Sequence, residues 1–80
     1  RVKENGSLGT DHGAASQMFL IGDAIRGGLH GAHPNLDKLD QGDLIHHTDF
    51  RRVYATLLEK WLGWPAKPAL VRNFEPLDVI

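Results

Sequence analysis

Asp11 and His12 are adjacent, and a carboxylate oxygen and an imidazole nitrogen are both good ligands for a Zn-like divalent ion. Gly9 and Gly13 flank the pair, and glycine lets a backbone come close to a cleft. A plainer explanation of the same dipeptide is a loop Asp capping a turn beside a solvated His. His30 and His33 also have a spacing found in metal sites, but Gly31 and Pro34 put them in a loop and no Cys accompanies them. His46 and His47 directly precede a helix start, where the helix dipole disfavours a charged imidazole. They read as surface or packing residues. Thr10 and Ser16 have no base and oxyanion donors arranged around them in sequence, so a serine-hydrolase reading has no support. Gly27-Gly28 is not followed by Gly-Lys-Ser/Thr, so no phosphate-cradling loop is present. Arg51 and Arg52 could bind an anion, but one or both read more simply as a solvated helix face.

The elements that must position Asp11 and His12 follow from periodicity. Residues 4 to 17 are polar and Gly-rich, with a turn signal at Asn5-Gly6, which predicts a functional loop. Met18-Phe19-Leu20-Ile21-Gly22 is a short continuous apolar run; it predicts a strand buried on both faces, as in a parallel sheet covered by helices. Gly27-Gly28-Leu29-His30-Gly31 predicts a tight turn or a short edge strand, and Pro34 to Gly42 a surface loop. From Asp49 to Leu62 the apolar residues Phe50, Val53, Tyr54, Leu57, Leu58, Trp61 and Leu62 keep helical spacing, which predicts an amphipathic helix. Thr48 is its expected N-cap, Gly63 its left-handed stop, and Pro65 bars continuation. Residues 64 to 80 hold Pro65, Pro68 and Pro76 and predict an extended tail packed along a larger surface.

Composition narrows the partners. Nine Lys and Arg balance ten Asp and Glu, and no basic stripe interleaves with aromatics, so nucleic acid is not expected. Met18-Phe19-Leu20-Ile21 is the longest apolar run, too short for a transmembrane segment. The chain has no Cys and therefore no disulfide to staple a core that is small at 80 residues. One good strand and one good helix cannot build the usual two or three packed layers. The expectation is a single piece, residues 1–80, of a larger domain whose N-terminus lies upstream.

The order of motifs sharpens that expectation. Asn5-Gly6-Ser7-Leu8-Gly9-Thr10-Asp11-His12-Gly13, then Met18-Phe19-Leu20-Ile21-Gly22, Gly27-Gly28-Leu29-His30-Gly31 and Thr48-Asp49-Phe50-Arg51-Arg52-Val53-Tyr54-Ala55-Thr56-Leu57-Leu58 occur in this sequence. Together with Leu62-Gly63-Trp64-Pro65 and Phe74-Glu75-Pro76-Leu77, they resemble the C-terminal part of the domain-of-unknown-function 1501 family, a branch of the alkaline phosphatase and sulfatase superfamily. The resemblance implies an α/β fold, the C-terminal portion of a three-layer α/β/α sandwich. It implies one or two short strands, Gly-rich loops and one long helix over about 49–62. It implies export to the periplasm or another extracytoplasmic location, often by the twin-arginine route, and a divalent metal cofactor of the Zn, Ca or Mg class. His12, just before a late core strand, matches the place of the superfamily's last metal-ligand His. Asp11 either ligates the metal or orients His12 as an outer carboxylate. The nucleophile and remaining ligands of such an enzyme lie upstream, so no catalytic residue is assigned here and the piece alone is expected to be inactive.

Three functions remain open at this level. The parent is a hydrolase of phosphate or sulfate esters, with the rest of its polypeptide as this chain's first partner. Alternatively it is an exported, non-catalytic protein of the same fold with a binding or structural role, since fold does not fix function. The third is a self-sufficient small binding module.

Overall fold

The computed structural model describes all residues, 1–80, as a mixture of short strands and short helices. They fall into two compact units: residues 1–19 with 31–47, and residues 20–30 with 48–80.

In the first unit, the chain folds back at Asn5, where an isolated antiparallel bridge joins Glu4 and Thr10. Strands β1 (Leu39–Asp40) and β2 (Asp43–Leu44) pair antiparallel, with Leu39 opposite Leu44 and Asp40 opposite Asp43. The intervening Gln41 and Gly42 both have positive φ, 50° and 80°, the pattern of a type I′ turn, whose twist suits a hairpin. This hairpin lies at the end of a stretch expected to be irregular loop.

In the second unit, helix α1 (Phe50–Thr56) runs into a π-helical turn at Leu57–Trp61. A helix over about 49–62 is therefore present, but its cap is Asp49 rather than Thr48. The Asp49 carboxylate accepts the Arg51 N–H at 2.9 Å. It also takes the Arg51 Nε at 2.9 Å and Nη2 at 2.6 Å. An anionic cap interacts with the first-turn N–H groups more strongly than a hydroxyl does, and Arg51 fixes its orientation. At the other end Leu62 N–H bonds Leu57 C=O at 3.0 Å, the five-residue spacing of a π turn, and Trp64 N–H closes the helix end on Leu58 C=O, six residues back, at 2.8 Å. Gly63 then takes φ 68°. Helix α2 (Lys67–Leu70) follows.

The residues at the centre of the second unit differ from those the apolar stripe suggests. Ala55, Thr56, Ala66 and Val79 are buried, while Phe50, Tyr54, Trp61 and Leu62 are exposed. The tail lies back along α1. Three side chains at spacing four hold it: Arg52 Nε donates to Glu75 C=O at 2.8 Å, Thr56 Oγ1 accepts from Leu77 N–H at 2.7 Å, and Lys60 Nζ donates to Leu77 C=O at 2.6 Å. Residues four apart share a helix face, so one polar row grips the backbone of 75–77. Arg26 N–H bonds Val79 C=O at 2.8 Å, and the Arg26 guanidinium pairs with Asp78 at 2.6 Å. The hydrogen bond that the guanidinium donates to Asp78, and then its charge, hold the Asp78 carboxyl below its ordinary value. The pair therefore contributes above the free carboxylate's titration range and is lost as pH falls through the lowered value. Both partners are exposed, so salt screens the contribution.

The strand expected at Met18–Gly22 does not form. The only sheet is β1–β2, so this run has no neighbour to take its backbone hydrogen bonds. Phe19 is 81% and Ile21 97% exposed. Gly27–Gly31 likewise forms no strand.

Thr56 is the fully buried hinge of the tail: its hydroxyl donates to Arg52 C=O at 2.6 Å and accepts from Leu77 N–H at 2.7 Å. Thr56→Val keeps the shape and strands the Leu77 N–H. The expected destabilisation is about 1–3 kcal/mol, read as faster hydrogen exchange at the Leu77 amide. Unchanged exchange would count against this role.

Candidate metal-binding loop

Asp11 and His12 lie in the first unit on an exposed stretch just after the Glu4–Thr10 bridge. The preceding turn is organised by one side chain. Asn5 Oδ1 accepts the N–H groups of Ser7 at 2.9 Å and Gly9 at 3.1 Å. Asn5 N–H bonds Gly9 C=O at 2.8 Å. A side-chain amide mimicking a backbone turn is what Asn does at such places. The same amide's Nδ2 donates to Asp11 Oδ1 at 3.1 Å. One carboxylate oxygen of Asp11 is thus fixed by the turn, and the His12 imidazole follows it on the exposed side.

The far side of the pair is held by the hairpin. Ala14 N–H donates to Asp43 Oδ2 at 2.9 Å. Asp43 Oδ1 accepts Leu44 N–H at 2.8 Å. The turn is legible in Asn5-Gly6, but Asp43, which acts across 29 positions, leaves no local signal in the sequence.

No three His, Asp or Glu side chains converge anywhere in the chain. Asp11 and His12 offer a carboxylate and an imidazole, donor types that divalent ions take, but by themselves they form no coordination sphere. Two of the other histidines are engaged elsewhere. His30 Nε2 lies 2.7 Å from Arg26 C=O in the second unit, and His33 Nδ1 lies 2.8 Å from Pro34 C=O in the first. His46 and His47 are exposed. Arg51, expected to be solvated, is instead committed to Asp49 and sits 4.5 Å from the Phe74 ring centre. The second unit also has an open groove of ≈ 360 Å³ bordered by Leu20, Ile25, Leu57, Trp61 and Ile80. Its one titratable side chain is Asp23, so it offers packing surface rather than chemistry. No helix is long and apolar enough to cross a membrane.

No family model, curated protein or solved structure matches this chain.

Asn5 is the residue on which the geometry of the loop turns. Asn5→Ala removes two acceptor contacts and one donor contact at once. At about 1 kcal/mol for each net hydrogen bond, exchange of the Gly9 amide hydrogen should accelerate at least about tenfold. A Gly9 amide that exchanges as in the parent chain would show that the turn does not depend on Asn5.

Proposed function

We propose that residues 1–80 are the C-terminal portion of an exported, metal-dependent hydrolase of phosphate or sulfate esters. On this reading the parent has the three-layer α/β/α sandwich of the alkaline phosphatase and sulfatase superfamily and is kin to the domain-of-unknown-function 1501 family. The observation that carries the reading is the presentation of Asp11 and His12. They are exposed on a glycine-flanked loop, with one Asp11 oxygen tied to Asn5 at 3.1 Å. The order of motifs along the chain supports it. So does the exposure of Phe19 and Ile21, since an extended apolar run of this kind suits a strand that completes its hydrogen bonds and burial within a larger sheet.

In this role His12 ligates a divalent ion of the Zn, Ca or Mg class through an imidazole nitrogen. Asp11 ligates through the oxygen that Asn5 leaves available, or orients the imidazole. The bound ion would supply charge neutralisation on the transferred group and activation of the nucleophile. The work of these 80 residues is to hold one edge of that centre rigid. Nucleophile and remaining ligands belong to other parts of the parent, so this piece has no turnover alone.

The test uses the full-length protein. His12→Ala should lower bound metal, measured by elemental mass spectrometry after dialysis. It should also lower hydrolysis of p-nitrophenyl phosphate or sulfate by at least about 100-fold, because losing a ligand exceeds the usual 10–100-fold effect of losing an outer partner. Unchanged metal content would overturn the site. Metal lost with His12→Ala, but no ester turnover by the parent, would point to the non-catalytic binding role.

A further inference from the structure

Residues 11 to 14 are gripped from two directions. On one side Asn5 Nδ2 reaches Asp11 Oδ1 at 3.1 Å. On the other, Asp43 Oδ2 takes the Ala14 N–H at 2.9 Å while its Oδ1 takes the Leu44 N–H at 2.8 Å. Gly13 lies against that carboxylate: a Cβ there would stand 2.6 Å from Asp43 Oδ1 and 3.4 Å from Asp43 Cγ. Carbon and oxygen do not approach to that distance without displacement, so glycine at 13 is what lets the hairpin carboxylate reach the loop. Asp43 in turn is the first residue of β2, placed by the Gln41–Gly42 turn. Arg1 braces that turn by donating from its guanidinium to Gln41 C=O at 3.2 Å. Asp43 also faces Asp40 directly across the strand pair. Two carboxylates opposite each other are unfavourable, and the two N–H donors on Asp43 offset that repulsion.

We propose that Asp43 is the positioning residue for His12. It binds the backbone one peptide beyond His12 and Gly13, so with Asn5 it fixes both ends of the segment from which the imidazole projects. Both of its oxygens accept backbone N–H groups; it acts through the loop and does not itself ligate. Ligand geometry must be held within fractions of an ångström to select and retain a metal, and residues outside the coordination sphere commonly supply that precision. The proposal rests on the reading of His12 as a metal ligand.

Two variants loosen the grip by different means. Asp43→Asn replaces one acceptor oxygen with an NH₂ group that cannot take a backbone N–H. Gly13→Ala keeps every carboxylate but pushes the Asp43 side chain away. Metal-free full-length protein is titrated with Zn²⁺ against a chelator, and its saturated Co²⁺ form is read by visible absorption. Both variants should bind Zn²⁺ about 10–100-fold more weakly, with Co²⁺ bands shifted from the parent's, while His12→Ala loses more. Parent-like affinity in both variants, with loss in His12→Ala, overturns the positioning role and leaves the ligand. Weaker binding with an unchanged Co²⁺ spectrum also overturns it, since only general stability would then have moved. Parent-like affinity in His12→Ala removes the ligand and the positioning role together. If one variant fails to give folded protein by far-UV circular dichroism, the other is read alone.

Discussion

A backbone N–H or C=O withdrawn from water needs a partner, and in this chain regular secondary structure supplies few. The strands are two residues each and the helices seven and four, with one π turn between them. Side chains take up much of the remainder. Asn5 serves the first turn and Asp43 serves both Ala14 and Leu44. Asp49 caps α1, and Glu59 accepts the Ala66 N–H at 3.2 Å. Thr56, Arg52 and Lys60 hold the tail. These contacts are specific in geometry, each worth about 0.5–1.5 kcal/mol net. They define conformations well, while contributing less cohesion than a packed apolar core.

The same economy explains which features the sequence discloses. The helix is legible because apolar spacing over 50–62 is a local property. Its cap shifts by one residue because Thr48 and Asp49 are both good caps, and the choice falls to Arg51, whose bidentate contact with Asp49 has no signature in periodicity. The π turn leaves no pattern either. The turn at Asn5-Gly6 is legible for the reason that Asn and Gly are used there at all. The hairpin escapes notice because Gln41-Gly42 is not one of the usual I′ dipeptides and its strands are too short to alternate. Asp43 escapes because its partner is remote in sequence. The apolar run at 18–22 carries a genuine strand signal, but a strand exists only with a neighbour, and periodicity says nothing about whether one is near.

That unmet demand bears on function. Burial of a large apolar side chain is worth about 1.5–3 kcal/mol. Here the buried apolar residues are Ala55, Ala66 and Val79, whereas Phe19, Ile21, Leu29, Trp61, Trp64 and Val71 face solvent. Such a distribution suits a segment that completes its core against further polypeptide. The proposed metal edge of Asp11 and His12 would have the same character, because two ligands do not close a coordination sphere. Incomplete core and incomplete site are both accounted for if these residues form the last part of a larger metal-dependent hydrolase.

Thermal unfolding of residues 1–80 on their own tests that account most directly, followed by near-UV circular dichroism, where Trp61 and Trp64 report fixed packing. The expected result is a weak signal that fades gradually with temperature, without a sharp transition. A strong signal lost in one cooperative step would show that the chain builds its own sufficient core, and would contradict the view that it depends on a parent fold.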